Sequence, residues 1–280
     1  MVMPDIMRDG IDRRRLMQMM AAGAVGAAAT GGPARAAAAP YGSPQLFPGS
    51  RMPRVAMVIY PRMVLIDLIG PQTVFNLAGC EVHLVWKDRT PCSTDTGIPI
   101  MPTTTFDECP QDLDVLFIGG GIGGTIDCMK DMSVLDFLAG RAKTSTWVTS
   151  VCTGTMVLAA AGLLDGYKAT GHWAIMHLLP IMGVTPVHER VVVDRNRVTG
   201  GGATAGIDYG LTLASLLRSE EAARRIQLLI EYAPRPPFDS GTPETAGSGM
   251  VEGIMAGRKE INATATRLAE AAAARFRKKA

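Results

Sequence analysis

The chain has 280 residues, of which 47% are hydrophobic and 19% charged, with 28 basic and 26 acidic side chains. This composition excludes a disordered chain, and the length allows one large domain or two small ones. Five cysteines without a Cys-x-x-Cys pair indicate neither a disulfide framework nor a zinc site, so we expect no bound metal and no cofactor.

The segment 1–36 is predicted to be a twin-arginine (Tat-type) signal peptide. Asp12-Arg13-Arg14-Arg15 precedes an apolar stretch at residues 19–29, and Ala34-Arg35-Ala36 offers the small residues that a signal peptidase reads. The apolar stretch is too short and too rich in glycine for a membrane span. We therefore expect export to the periplasm without stable membrane insertion once the signal is removed. An uncleaved N-terminus is the alternative.

Charge outside the signal peptide bears on the kind of partner. Residues 1–36 contain five basic and three acidic side chains, so the remainder carries 23 of each. A neutral body lacks the net field that nucleic-acid binding usually needs. The predicted partner is therefore a small molecule and not a nucleic acid.

Residues 51–233, after a linker at 37–50, are predicted to form one α/β domain. The apolar run 55–60 is typical of a strand buried on both faces. Further strands are predicted at 82–86, 114–118 and 146–149 and in a hairpin at 190–199, with helices at 68–77, 133–141, 153–161, 172–179, 205–217 and 219–231. This alternation predicts a mostly parallel sheet sandwiched by helices in three layers. An extended linker at 234–249 then leads to a C-terminal helix at 250–280, which we expect to pack on the body or on a partner subunit.

The clearest sequence pattern for a reactive residue surrounds Cys152. An apolar strand ends at Val151, and a helix of small residues begins directly after the cysteine. That pattern is typical of a nucleophile elbow, in which a tight turn holds the side chain above the sheet. A helix N-terminus there would favour the thiolate and lower its pKa. A buried structural cysteine is the alternative.

The motifs around Cys152 resemble the nucleophile region of the ThiJ/PfpI superfamily, and within it the isonitrile hydratases and the related input domains of AraC-type regulators. The resemblance is carried by Ser150–Thr155, Ala160–Gly166, Ala169–Trp173, Asn196–Leu211 and Ile230–Gly241. It implies a flavodoxin-like fold of the class I glutamine amidotransferase-like kind, a cysteine nucleophile and a homodimer.

Asp67 follows the first predicted strand, so it should lie above the same sheet edge as Cys152. By resemblance it matches the acid of the isonitrile hydratases. A carboxyl that faces a sulfur in a dry pocket has a raised proton affinity and can shuttle a proton. A helix N-cap is the alternative role for this residue.

Two further elements belong to the predicted site. The glycine turn 119–124 resembles a family turn whose backbone N–H groups, here those of Gly120 and Gly121, stabilise developing negative charge. A purely structural turn is the alternative. His172 stands where relatives often carry a histidine, and it could act as a base, as an orienting group or only as a pocket wall.

Thr153, directly after the nucleophile, bears on the reaction. Peptidase-like and glyoxalase-like members of the superfamily resemble each other in placing histidine there, whereas the isonitrile hydratases have threonine. The resemblance therefore implies a lyase that hydrates an isonitrile to an N-substituted formamide, with Cys152, Asp67 and Thr153 as catalytic residues. Two alternatives stay open: a redox or electrophile sensor without turnover, which would depend on a low-pKa thiol, and another cysteine-dependent hydrolase such as a glyoxalase or deglycase.

Overall fold

The computed structural model describes residue 47 and residues 50–277. The predicted signal peptide and nearly all of the predicted linker at 37–50 therefore lie outside the described residues. Along the described part of the chain, no helix has both the length and the apolar character needed to cross a membrane.

The predicted alternation of strands and helices is present. The strands are β1 (Arg54–Val58), β2 (Glu81–Trp86), β3 (Cys92–Ser93), β4 (Pro99–Ile100), β5 (Thr104–Thr105), β6 (Val115–Ile118), β7 (Trp147–Val151), β8 (Lys168–Ala169), β9 (Thr185–Pro186), β10 (Val191–Asp194) and β11 (Arg197–Gly200). The α-helices are α1 (Leu65–Leu77), α2 (Ile122–Lys130), α3 (Met132–Arg141), α4 (Gly154–Ala160), α5 (Ala205–Leu217), α6 (Glu220–Leu229), α7 (Pro243–Ala246), α8 (Ser248–Gly257) and α9 (Lys259–Arg277). A 3-10 helix spans Trp173–Met182.

A seven-stranded sheet in the order β10-β11-β7-β6-β1-β2-β5 forms the centre of the domain. Its neighbouring strands are parallel except for β10 and β11, which form the predicted antiparallel hairpin. Every residue of β6 and nearly every residue of β1 and β7 is buried. These continuous apolar runs are what a strand covered on both faces requires.

Helices cover the two faces of the sheet in two groups. Helices α1, α5 and α6 pack together in one group, and α2, α3, α4, α9 and the 3-10 helix pack together in the other. The fold is thus the predicted three-layer α/β sandwich. Helix α2 was not predicted, because it begins inside the glycine run that we assigned to a turn.

Two predicted helices differ from the structure. The pattern at 172–179 is a 3-10 helix that continues to Met182, and Pro180 lies within it. Proline lacks the N–H that an α-helical turn needs. The predicted C-terminal helix is divided into α8 and α9 at Arg258, whose backbone φ of −103° and ψ of 5° are not helical. The glycine before it is a poor helix former. The predicted linker at 234–249 contains the short helix α7.

Candidate active site

The central strands bring the predicted site residues to one edge of the sheet. Strands β11, β7, β6 and β1 are neighbours, and their carboxyl ends are aligned: Val58 pairs with Ile118, Ile118 with Ser150, and Val151 with Gly200. The connections that follow these ends carry the predicted acid, the glycine turn and the nucleophile. This is the edge at which ligands bind in open α/β folds.

Cys152 occupies the turn between β7 and α4, as a nucleophile elbow requires. Its φ is +60°, a left-handed conformation that costs an L-residue with a Cβ about 1–2 kcal/mol. Its backbone N–H donates to the carbonyl oxygens of Gly200 at 3.0 Å and Gly201 at 2.7 Å, and these bonds hold the strained turn in place. The side chain is only 5% exposed, so a substrate must present a slender reacting group.

Asp67 is fully buried in the first turn of α1. Its Oδ2 accepts a hydrogen bond from the backbone N–H of Gly120 at 2.7 Å, and its Oδ1 is buried without a well-formed hydrogen bond. The alternative role as helix N-cap is wrong. The N-cap residue is Val64, and the N–H of Leu65 is satisfied instead by Asp95 Oδ1 at 2.9 Å.

The proton affinities of Asp67 and Cys152 are linked. Burial raises the pKa of Asp67 to about 6, against the opposing effect of hydrogen bonds from the Gly120 N–H and the Cys152 thiol. Burial also raises the pKa of the Cys152 thiol well above its usual value, and the negative charge of Asp67 raises it further. The raised proton affinity predicted for Asp67 is confirmed.

The lowered thiol pKa predicted from the helix N-terminus is wrong. The Thr153 backbone N–H does favour the thiolate and lowers the Cys152 pKa. However, α4 is a short helix, and removing the sulfur from water beside a carboxylate has the larger effect. Near neutral pH the pair therefore holds one proton, which lies on the sulfur while Asp67 is ionised.

Gly120 lies between the side chains of Cys152 and Asp67 and leaves no room for a side chain of its own. A Cβ at this position would lie 2.6 Å from the Thr153 nitrogen, 2.7 Å from the Cys152 Cβ and 2.8 Å from Asp67 Oδ2. The next residue, Gly121, has a φ of +136°, which only glycine adopts easily. The glycine turn therefore brings backbone atoms against the nucleophile and the acid.

The backbone N–H groups of this turn are already used within the protein. The Gly120 N–H donates to Asp67, and the Gly121 N–H donates to the Thr153 hydroxyl at 2.9 Å. Both amides lie beside the nucleophile as expected, but both are already bonded, which favours the alternative of a structural turn. They hold Asp67 and Thr153 in place.

A chain of buried hydroxyl groups joins the two ends of the glycine turn. The Thr153 hydroxyl lies 2.8 Å from that of Thr125, which lies 3.3 Å from the Tyr60 hydroxyl. Tyr60 donates to the carbonyl oxygen of Gly119 at 2.7 Å. Since that bond uses the Tyr60 proton, Thr125 donates to Tyr60 and Thr153 donates to Thr125. The Thr153 hydroxyl proton thus stabilises the turn, so a catalytic role for this hydroxyl remains a prediction.

Sequence reasoning missed Tyr60 and Thr125. Tyr60 ends the apolar run that predicted β1, where a single polar atom at the end of a buried strand is a weak signal. Thr125 lies in α2, the helix that the sequence did not predict, so nothing placed it near the nucleophile.

His172 forms part of the pocket wall. Its backbone N–H donates to the Cys152 carbonyl oxygen at 3.2 Å, and its Nδ1 accepts from the Ala174 N–H at 3.2 Å. Burial lowers the pKa of His172, so the ring is neutral. Within residues 50–277, no hydrogen bond joins this ring to the thiol of Cys152. This geometry favours the wall over the base among the roles that the sequence left open.

The remaining cysteines and any clusters of possible metal ligands are the other candidates for a reactive site. All five cysteines are buried free thiols, and in the described part of the chain no cluster of histidine, cysteine or acidic side chains is arranged to bind a metal ion.

Comparison with known proteins places this site in a family. Residues 53–216 match the model of the DJ-1/PfpI family. The chain is 50% identical over 200 residues to the isonitrile hydratase of Pseudomonas putida, covering 71% of this chain and 87% of that protein. It is 40% identical over 173 residues to the HTH-type transcriptional regulator CdhR of Pseudomonas aeruginosa, covering 59% of this chain but 49% of the regulator.

A solved structure supports the same assignment. The crystal structure of a ThiJ/PfpI family protein from Pseudomonas syringae has a TM-score of 0.76 at 42% sequence identity, and the match covers 78% of this chain and 91% of that one. Together with the Cys152 elbow above the sheet edge, these matches fix the family. The chain belongs to the DJ-1/PfpI family.

Proposed function

We propose that the protein is an isonitrile hydratase, a lyase that adds water to an isonitrile, R–N≡C, and releases the formamide R–NH–CHO. The 50% identity to the Pseudomonas putida enzyme supports this reaction. The buried pair of Cys152 and Asp67 supplies the nucleophile and the proton carrier that it needs.

The first half of the reaction adds the thiol to the terminal carbon of the isonitrile. Asp67, ionised near neutral pH, takes the proton of Cys152 as the sulfur attacks that carbon and the C–S bond forms. Asp67 then returns the proton to the same carbon. The product is the thioimidate R–N=CH–S–Cys152, and Asp67 is again a carboxylate, ready for a second proton transfer.

The second half adds water and releases the enzyme. Asp67 takes a proton from water as the oxygen attacks the thioimidate carbon, and the C=N electrons move to nitrogen, which receives that proton. The tetrahedral R–NH–CH(OH)–S–Cys152 then collapses. Its hydroxyl proton passes through Asp67 to the departing sulfur as the C–S bond breaks, which leaves R–NH–CHO and the thiol.

The observation that carries this proposal is the occupied glycine turn. Acyl-transfer enzymes need free donors aimed at an oxyanion, but the Gly120 and Gly121 N–H groups are bonded to Asp67 and Thr153. Isonitrile hydration passes through no carbonyl oxyanion, because the attacked atom is a terminal carbon and the added oxygen stays protonated. What the reaction needs is a proton carrier, and a buried carboxyl with a pKa of about 6 suits that role.

The same site disfavours both alternatives. A redox sensor depends on a thiolate-rich cysteine, whereas burial and Asp67 raise the pKa of Cys152. A hydrolase of the peptidase or glyoxalase kind would use a histidine beside the thiol, and Thr153 occupies that position in the sequence.

The test is product analysis after purified protein is given cyclohexyl isonitrile, with Cys152→Ala as the comparison. We expect N-cyclohexylformamide from the wild-type protein, and a loss of rate of at least ~10³-fold in the variant, since the covalent route is removed. Wild-type protein that reacts with a thiol reagent at Cys152 but forms no formamide would overturn the proposal. Formamide from Cys152→Ala at an unchanged rate would overturn the mechanism.

We further propose that the Tat route exports the protein to the periplasm. The paired arginines ahead of the apolar stretch at 19–29 support this. Cell fractionation of the wild type and of an Arg13→Lys, Arg14→Lys variant tests it. We expect the wild type in the periplasmic fraction and the variant in the cytoplasm, and equal distributions would contradict the proposal.

We also propose a homodimer, as the family resemblance implies. Ile66 and Ile69 on α1 are 46% and 45% exposed in the single chain, and neighbouring apolar side chains of this kind are commonly covered by a partner. Light scattering after size-exclusion chromatography should give twice the mass of the chain for the wild type and the mass of one chain for Ile66→Glu. A monomeric wild type would refute the proposal.

A further inference from the structure

The C-terminal helix α9 reaches the active-site edge of the domain. It packs against α2, α4 and the 3-10 helix, which begin directly after Gly121, Thr153 and His172. Thr153 follows Cys152 directly, the His172 N–H donates to the Cys152 carbonyl oxygen, and the Gly121 N–H donates to the Thr153 hydroxyl. The family match ends at residue 216, so α9 lies beyond the matched region.

Contacts at the far end of α9 fix its direction. Arg275 donates to the Ala160 carbonyl oxygen at 3.2 Å, and the Phe276 ring packs against Gly162, so α9 ends where α4 ends. At about 1.5 Å per residue, the 19 residues of α9 span roughly 28 Å. The seven residues of α4 span roughly 10 Å. The start of α9 therefore extends past the start of α4 toward the sheet edge that carries Cys152.

Arg258, at the junction of α8 and α9, brings a positive charge to this edge. Burial lowers the pKa of His172 and the charge of Arg258 lowers it further, while the same charge opposes the rise in the Cys152 pKa. The guanidinium is thus within electrostatic reach of both residues.

Arg258 also lacks a partner. Its Nε is buried without a hydrogen bond, and among the described residues it forms no ion pair. One turn later, Asn262 donates its backbone N–H to the Arg258 carbonyl oxygen at 2.8 Å and has a buried Oδ1 without a hydrogen bond. Arg258 as a whole is half-buried, and its buried Nε is a donor that a bound acceptor would satisfy. The one acid of the site, Asp67, accepts from the Gly120 N–H and lies beside the thiol.

We propose that Arg258 is a specificity-determining residue that binds a carboxylate on the R group of the isonitrile. A guanidinium matches a carboxylate with two parallel hydrogen bonds, and the isonitrile group itself is neutral, so the anion must lie on R. The favoured substrates are therefore isonitriles with a carboxylate a few bonds from the reacting carbon, ahead of neutral isonitriles such as the cyclohexyl compound. The reaction named here rests on the proposed hydratase function, whereas the anion selectivity of the pocket does not.

Alkylation of Cys152 tests the anion selectivity without turnover. The Cys152 thiolate attacks the CH2 carbon of either iodoacetate or iodoacetamide and displaces iodide. The two reagents differ only in the carboxylate, so their rate ratio cancels any change in the thiol pKa. We expect the iodoacetate-to-iodoacetamide ratio to fall about five- to tenfold in Arg258→Met, the effect of one charge at roughly 7 Å in a partly wet pocket. Arg258→Lys should keep most of the ratio. The Cys152→Ala variant gives the background from the four other thiols.

Arg267→Met is the matched control, because Arg267 is exposed on the same helix and donates only to the Thr264 hydroxyl. Its ratio should equal that of the wild type. If Arg258→Met does not fold, the salt dependence of alkylation in the wild type is the test. Raising the salt from about 0.05 M to about 0.5 M should lower the rate of alkylation by iodoacetate and leave the rate with iodoacetamide unchanged. An unchanged ratio in Arg258→Met, or salt-independent iodoacetate alkylation, would overturn the proposal.

Turnover gives the second readout. The kcat/KM for isocyanoacetate relative to its neutral methyl ester should be higher for the wild type than for Arg258→Met by the same five- to tenfold, roughly one charge–charge interaction. Equal ratios for the two proteins would contradict the role of Arg258. If neither compound is hydrated, the hydratase proposal fails while the alkylation ratio still tests the anion site.

Discussion

Asp67→Asn should gain stability relative to the wild type as the pH rises, while it removes activity. The carboxyl is fully buried, and its pKa rises from 3.8 to about 6 on folding. The folded state therefore binds the proton more tightly than the unfolded state does. For such an acid, the ionisation penalty is absent below the unfolded pKa, grows between the two values, and is complete above the folded pKa.

The magnitude follows from that interval. A rise from 3.8 to about 6 corresponds to a penalty of about 3 kcal/mol when Asp67 is ionised. Asparagine keeps the shape and the oxygen that accepts from Gly120, but it does not ionise. Its unpaired amide hydrogens cost about 1–3 kcal/mol, and this cost does not change with pH. The stability of Asp67→Asn relative to wild type should therefore increase by about 2.5 kcal/mol between about pH 4 and about pH 8.

Urea unfolding at a series of pH values measures this difference, with Asp136→Asn on the exposed face of α3 as the control. The control should show a difference from wild type that stays within about 0.5 kcal/mol across the series. The kcat/KM of the wild type should fall as the pH drops through about 6. The kcat/KM of Asp67→Asn should be about 10²–10⁴-fold lower than that of the wild type. A stability difference for Asp67→Asn that does not vary with pH would refute the reasoning, because the carboxyl would then titrate normally in the fold.

Three further predictions concern the turn and the elbow. Gly120→Ala should reduce kcat/KM by at least about 100-fold, because its Cβ displaces the nucleophile or the acid. The control is Gly140→Ala, whose Cβ meets nothing within 4 Å. It should keep full activity, and its free energy of unfolding in urea should rise by about 0.5–1 kcal/mol. Thr125→Val and Thr149→Val each remove a buried hydroxyl, and each should lower the free energy of unfolding by about 1–3 kcal/mol. Only Thr125→Val should lower kcat. Equal kcat values for the two variants would show that the hydroxyl chain does not position the turn. Cys152→Gly should be about 1 kcal/mol more stable in urea unfolding than Cys152→Ala, because glycine adopts a φ of +60° without strain. A glycine variant that is less stable than the alanine variant would show that the backbone at residue 152 is not strained.

The sequence predicted what depends on periodicity and on the order of the elements. Buried apolar runs located the central strands, and parallel strands place their carboxyl ends at one edge, so Cys152 and Asp67 had to meet. The raised proton affinity of Asp67 followed from the dry environment expected at that edge, because burial disfavours the charged carboxylate. The family motifs added the identity of the acid and the reaction.

Other features depend on distances that no single sequence records. Whether the proton lies on sulfur depends on how deeply the thiol is buried beside Asp67. Whether a backbone N–H is free depends on which oxygen lies within 3 Å of it, and at Gly120 and Gly121 those oxygens come from separate segments. Arg258 comes near Cys152 only because α9 packs along α4. The spacing of residues in the sequence therefore did not predict that Arg258 lies at the site.

The position of the single proton explains why this elbow suits an isonitrile better than a carbonyl substrate. Because the pKa of the Cys152 thiol is raised well above its usual value, a free thiolate is scarce near neutral pH, and attack must be accompanied by proton transfer to Asp67. An attacked carbonyl would place negative charge on oxygen, and the Gly120 and Gly121 N–H groups of the glycine turn are already bonded. The terminal carbon of an isonitrile instead accepts both the sulfur and the proton that Asp67 has just taken. A buried pair that shares one proton can thus complete the addition without leaving an uncompensated charge in the pocket.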